Sequence, residues 1–480
     1  MRVLLIKPYN LSDHIQPSLG LAYLATQIRN KHDVLIYDCI KERKGPEAMP
    51  KIIRQYKPDV VGIQCYTFDQ RNVKLISRAV RESDPQIQIV VGGPGISSEP
   101  KEIFNHFGKD IDYGFSGEAE IGFPQFLDAL EKGNTGLFPF VPGLIYRSNG
   151  EVKVNPRHNA DDLDSLGFPA WDLVQPQEYP PAQHGAFYEK FPIAPIITTR
   201  GCPYSCTFCN APQLSGRKMR LHSVDYITKQ IAMLYHNYGV REFQLVDDNF
   251  TMEMDWAKEV LRGIIALNLD ISLATPNGIR MDRLDDELLE LFKKAGLYLV
   301  TVAVESGTNE VLKAMKKATT VEEIRENVAL IKKHKFDVAG FFIVGFPGES
   351  RETIEATIRF AKELKLTRAN FFTYLPLPGT ESHRQLVESG EIKDVDWDNF
   401  YFMSAPYTPK GMTREELLSL KRRAFLSFHL YPPVLWRNLR AIKSFRHLLF
   451  LLRRFYHWIL MKPTGQGISL EYDPESTPVS

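Results

Sequence analysis

The sequence predicts an α/β fold in two successive parts, followed by a helical, basic C-terminal region. Three observations carry that expectation. Short apolar runs alternate with amphipathic stretches through the first 130 residues, the pattern of a doubly wound, Rossmann- or flavodoxin-like parallel sheet. The alternation restarts at residue 193 and gives six further β/α units, fewer than the eight that close a barrel. Beyond these, residues 421–462 hold ten basic side chains and no acidic one.

In the first part, strands are expected at residues 2–6, 34–37, 60–64 and 87–91 and around Tyr113, with helices over 19–29, 73–83 and 123–131. Such sheets bind ligands beyond the carboxyl ends of their strands. That points to the loops Lys7-Pro8-Tyr9-Asn10, Cys65-Tyr66-Thr67-Phe68 and Gly92-Gly93-Pro94-Gly95. Asn149-Gly150 is a hairpin-turn signal within residues 143–154, expected to form a closing flap. Residues 156–192, rich in Pro, Asp and Gln, are expected to link a first domain (1–155) to a second (193–400). In the second, strands are expected at 195–199, 242–246, 272–274, 299–304, 338–344 and 369–374. Helices fill the gaps at 224–235, 254–266, 285–295, 321–334 and 351–364, and residues 401–480 form the basic tail.

Charged residues at 24% and a net charge of +1 exclude a general polyanion binder, so no nucleic-acid partner is expected. The apolar start is too short for a signal peptide, and no 18-residue apolar stretch occurs. A cytoplasmic location follows as the expectation, with thiols kept reduced.

Three of the five cysteines, Cys202, Cys206 and Cys209, fall within eight residues, just after the apolar pair Ile196-Ile197. Three thiolates on one loop can hold three irons of a cubane cluster and leave the fourth iron open for chemistry. A zinc site wants a fourth ligand, and no fourth cysteine is near. The ferredoxin spacing also fails, and a disulfide would leave an odd thiol over. A strand's carboxyl end is where barrel enzymes keep their chemistry.

C-x₃-C-x₂-C with an aromatic, Phe208, before the last cysteine is similar to the signature of the radical S-adenosylmethionine (SAM) superfamily. The resemblance implies a partial (β/α)6 TIM barrel carrying a 4Fe-4S cluster whose open iron chelates SAM. An electron from a carrier such as flavodoxin or ferredoxin would then release a 5′-deoxyadenosyl radical. Four strand-end segments match further family motifs in order. Asp248, in Val246-Asp247-Asp248-Asn249-Phe250, falls near the methionine moiety and the substrate. Asn277 and Arg280 follow the third strand. Glu305 and Ser306 can take the ribose or amino group. Ile343 and Gly345 run along the adenine. Tyr374, at the last strand's end, is expected to line the pocket.

The first domain resembles that of the cobalamin-binding class of these enzymes. The matching pieces contain Pro8 and Tyr9; Gly20 and Leu21; Gly92 and Gly93; and Gly117 and Glu118. The resemblance implies that these loops hold the corrin between the two domains. Asp-x-His-x-x-Gly, which supplies a histidine to cobalt, is absent, and Asp13-His14 has the wrong spacing. Tyr66 and Thr67 are then the candidates facing the lower side of cobalt. Cys39 and Cys65 stand alone, so the second cluster of methylthiotransferases cannot form, and both read as buried core residues.

The function implied is a C-methyltransferase that moves a methyl group from methylcobalamin to an unactivated carbon through the 5′-deoxyadenosyl radical. Oxidative cyclisation or ring contraction is the alternative. The substrate is expected to be a small molecule, apolar or lipid-like in view of the tail. Aromatic and leucine residues interleave the basic side chains of 421–462, as in helices that lie on an anionic membrane. A helix packed on the barrel with snorkelling arginines would read the same way.

Overall fold

The computed structural model describes residues 1–9, 15–179, 188–397, 400, 401, 404–440, 442, 445, 448, 449 and 452. Asp13-His14 and the tail from 453 onward lie outside the described residues.

The first sheet contains β1 (Arg2–Lys7), β2 (Asp33–Asp38), β3 (Val60–Gln64), β4 (Gln88–Gly92), β5 (Tyr113–Phe115), β6 (Leu144–Ser148) and β7 (Glu151–Val154). Its order is β2-β1-β3-β4-β5-β6-β7, parallel up to β5 and antiparallel from there. The strands β1, β3 and β4 are near-continuous Val/Ile/Leu runs because helices cover both of their faces. The order 2-1-3-4-5 puts its topological switch point between β1 and β3, where a ligand crevice belongs. The hairpin expected as a flap is instead the far edge of this sheet, since Leu144 and Ile145 pair with Phe115 and Gly114. Its apolar residues Leu144 and Ile145 are fully buried, which holds it in place.

The second sheet contains β8 (Ile193–Ile196), β11 (Glu242–Leu245), β12 (Ser272–Ala274), β13 (Leu297–Glu305), β14 (Asp337–Val344) and β15 (Arg368–Thr373). All six are parallel, in the order β15-β14-β13-β12-β11-β8, and the two end strands do not pair. This is an open (β/α)6 barrel. Its first strand ends earlier than expected, and β9 (Thr199–Arg200) instead pairs antiparallel with β10 (Arg220–Leu221). The cause is Asp247. One oxygen of this buried carboxylate accepts the backbone N–H and hydroxyl of Thr198 (2.8 and 2.9 Å) and the same two groups of Thr199. The chain is drawn off the sheet just before the cysteines.

Residues 156–179 run packed along the seam between the sheets. Leu163, Leu166, Trp171 and Tyr179 are all buried there, and the Tyr179 hydroxyl donates to Asp38 at 2.6 Å. The carboxyl rims of the two sheets meet across this seam. Arg200 bonds Glu118 (3.0 Å) and Glu120 (2.8 Å), and Arg220 grips both oxygens of Glu118. Arg157 donates to Ser116 Oγ at 2.8 Å and to the carbonyls of Ser97 and Gln213. Buried ion pairs of this kind fix relative placement more than they add stability.

Candidate active site

Cys202, Cys206 and Cys209 are free and lie on the loop that leaves β9. The loop turns at Gly201, whose φ of +105° suits glycine and whose Cβ would strike the Lys218 carbonyl. Three clamps fix it. Thr207 N–H donates to the Met315 carbonyl (3.0 Å), Ser382 N–H to the Thr207 carbonyl (2.9 Å), and Asn210 Nδ2 to the Pro378 carbonyl (3.0 Å). Burial pushes the Cys209 thiol up to about 12 and raises that of Cys202. Thiolates here therefore need a cation against them. Lys317 and Arg280 face Cys206 and supply part of that charge. Among the described residues no three His, Cys, Asp or Glu are arranged to hold a single metal ion. The donor set is three thiols on one fixed loop beside two cations, and it fits one corner-open face of a cubane.

The SAM candidates divide into two sets. Glu305 ends β13 in the left-handed region (φ +64°), a strained conformation for this residue, and is held by a buried ion pair with Lys317 at 2.9 Å. Phe208 and Ile343 pack on one apolar cluster with Phe346 and Tyr374. Arg280 stacks on Tyr204 at 3.6 Å and pairs with Asp282, while Asn277 donates to the Val246 carbonyl at 2.8 Å. Gly345, at φ +81°, gives its N–H to Glu349 (2.7 Å), and its missing Cβ leaves room for Leu417. Asp248 is exposed at the surface, and desolvation by the surrounding protein raises its pKa. Of these, Phe208 lies on the cysteine loop itself, Asp248 and Arg280 lie near its thiols, and Lys317 ties Glu305 to Cys206.

Two others turn inward. Ser306 is fully buried, and its hydroxyl meets that of Thr357 at 3.3 Å rather than opening to the site. The Tyr374 hydroxyl, also buried, donates to Ser382, which in turn braces Thr207 (2.7 and 2.9 Å). In both cases the short distance to a neighbouring helix wins over ligand contact. Tyr374 supports the cysteine loop from behind.

In the first domain, Tyr66 is half-exposed but so enclosed that burial lifts its hydroxyl to about 12. It stacks on Phe68 at 5.6 Å in the loop that follows β3 at the switch point. Tyr9 is half-buried, with its carbonyl accepting from Asn72 (2.6 Å), while the adjoining Pro8 is buried. Gly20 has open space where its Cβ would be. Other candidates are used internally. Leu21 belongs to the core with Val3 and Leu5, and Thr67 is buried. A Cβ on Gly93 would meet the Cys65 carbonyl at 2.8 Å, and Gly92 sits against Phe115. Gly117 lies under Arg157, and the Glu118 carboxylate is committed to Arg200 and Arg220. These glycines let one protein loop close on another. Cys39 and Cys65 are fully buried.

Sequence reasoning missed four supporting groups: Lys317, Asp247, Glu349 and Ser382. Only Glu349 had a visible signal, as the acid closing the glycine-rich turn Gly345-Phe346-Pro347-Gly348. The others are polar residues whose partners are distant in sequence.

Residues 196–361 match the radical SAM superfamily, and residues 12–127 match the B12 binding domain. The chain is 30% identical over 445 residues to the uncharacterized methyltransferase PH0819 of Pyrococcus horikoshii, covering 92% of this chain and 93% of the relative. It is 27% identical to the anaerobic magnesium-protoporphyrin IX monomethyl ester cyclase of Rubrivivax gelatinosus, covering 90% of this chain and 79% of the relative. Its fold is similar to that of the radical SAM methyltransferase TsrM of Kitasatospora setae, solved with cobalamin and a [4Fe-4S] cluster bound. That likeness has a TM-score of 0.67 and 21% identity, and it covers 81% of this chain and 78% of the other.

Proposed function

This chain belongs to the cobalamin-binding radical SAM enzymes, and we propose that it is the methyltransferase among them that acts on an unactivated carbon of a small, apolar molecule. The observation that carries the reading is the apposition of the two carboxyl rims across the Arg200–Glu118 seam, which sets the cysteine-loop end of the barrel against the loops of the first domain. When bound, the cluster and SAM supply the radical that removes a hydrogen, and cobalamin supplies the methyl group.

The chain's own residues hold, orient and exclude water. Cys202, Cys206 and Cys209 ligate the cluster. Lys317 and Arg280 offset its negative charge, and the Glu305–Lys317 pair, Asn277, Phe208, Ile343 and the Gly345 turn hold SAM. Tyr9, Gly20 and Tyr66 form the wall toward the corrin. Arg217, exposed and donating at 2.9 Å to Ser205 beside Cys206, offers an acidic flavodoxin- or ferredoxin-type carrier a positive charge near the cluster.

The similarity to an anaerobic cyclase favours oxidative ring formation as the second reading. Mass spectrometry of the product, with SAM labelled at its methyl group, separates the two. A labelled carbon in the product supports methyl transfer. A product of unchanged carbon count, formed with 5′-deoxyadenosine, supports cyclisation.

A further inference from the structure

The chain's exposed apolar side chains are concentrated in one place. Among the described residues, Leu430, Tyr431, Leu435, Trp436, Leu439, Phe445, Leu449 and Leu452 are exposed, and elsewhere only Leu75, Leu137, Phe140 and Val387 are comparable. Proteins rarely expose clustered apolar surface without a use for it. The helix Pro432–Arg440 is anchored on one side by buried Val434 and by Arg437, which donates to Thr367 at 2.8 Å. Its other side shows Leu435, Trp436 and Leu439, with the Arg440 guanidinium over the Trp436 ring at 5.1 Å. Arg422 and Arg423, both exposed on the preceding helix Arg414–His429, border an open groove with Leu426, Leu430 and Tyr431. No acidic residue occurs from 421 to 462.

We propose that this tip docks on an anionic phospholipid surface. Its charge selects that occupant: an apolar patch flanked by Arg422 and Arg440, with Arg423 paired to Glu355 at its border, suits anionic lipid headgroups, with Trp436 at the headgroup level and the leucines in the acyl boundary. Among the described residues no helix is long and apolar enough to cross a membrane, so the contact is interfacial.

The tip also faces away from the chemistry. The helix Arg414–His429 begins beside the site, where Leu417 fills the space over Gly345. It ends where His429 Nε2 lies 3.3 Å from the Ala369 carbonyl and Arg437 reaches Thr367, at the opposite end of β15. From Leu417 to His429 the chain travels about 18 Å along the helix axis. Docking therefore holds the enzyme at a membrane while the cysteine-loop end of the barrel stays in water. It does not feed a lipid directly into the site.

Cosedimentation of the full chain with phosphatidylcholine vesicles, with and without phosphatidylglycerol, tests this. Binding is expected only with the anionic lipid and is expected to fall with salt. Arg422→Glu with Arg440→Glu should weaken it roughly 25-fold or more, and Trp436→Glu with Leu439→Glu about tenfold or more, with cobalamin loading and melting kept at wild-type values. Three results would overturn the proposal: no binding by the wild-type chain, equal binding to neutral vesicles, or a patch-dependent dimer in place of lipid binding.

Discussion

The cysteine loop and the loops of the first domain hold equivalent places, each at the carboxyl edge of a parallel sheet, yet they are built by opposite means. At the barrel, three side chains carry the chemistry, and clamps from Met315, Pro378 and Ser382 fix their loop. At the switch point, most candidate residues are consumed by protein–protein packing, and what remains is a wall: Tyr66, Tyr9 and the open side of Gly20. A metal corner needs particular donor atoms at particular points. A large flat cofactor needs an enclosed space of the right depth, which many sequences can line.

The comparison breaks most sharply at the cysteines. Cys206→Ala should abolish cluster iron and 5′-deoxyadenosine formation while cobalamin binding persists, as read by iron analysis and visible spectra. Loss of both cofactors together would show that the two edges are one site.

The seam comes next. Arg200 is buried between Glu118 and Glu120, and those carboxylates hold it above its ordinary pKa. Arg200→Met strands Glu120 and should cost about 3–5 kcal/mol in urea unfolding. Combining it with Glu120→Gln should restore part of that loss.

Asp69 sets a pH-dependent effect on the cobalamin side, spread over several pH units. Burial lifts its carboxyl to about 8, and one oxygen has no hydrogen-bond partner. The folded state thus keeps a proton that the unfolded chain, titrating near 4, has lost. Stability should therefore fall as pH rises between about 4 and 8, by roughly 1.4 kcal/mol per pH unit from this group. Asp69→Asn should flatten that slope in unfolding curves measured across the window.

The smallest effect separates support from contact. Ser306→Ala removes the hydroxyl that meets Thr357 and should cost about 1 kcal/mol of stability, leaving SAM affinity by calorimetry as it was.

Legibility in the sequence followed the same division. The strand alternation and the cysteine spacing are local patterns, so both sheets and the cluster loop could be read directly. Asp247 shows where locality ends: it pulls Thr198 and Thr199 off the sheet from 48 or 49 residues away, and so moves the expected first barrel strand. The burial of Leu21 and Thr67 was not legible, because a loop motif does not say which side of its own core it faces. Lys317 left no trace because a buried lysine is recognised only by its partner, here Glu305.

The account rests on a cluster with one unligated iron that takes up SAM. The most direct measurement is the electron paramagnetic resonance spectrum of the reduced, anaerobically reconstituted protein before and after SAM is added. A spectrum that shifts on addition is the predicted result. A signal indifferent to SAM, or zinc in place of iron, would contradict it.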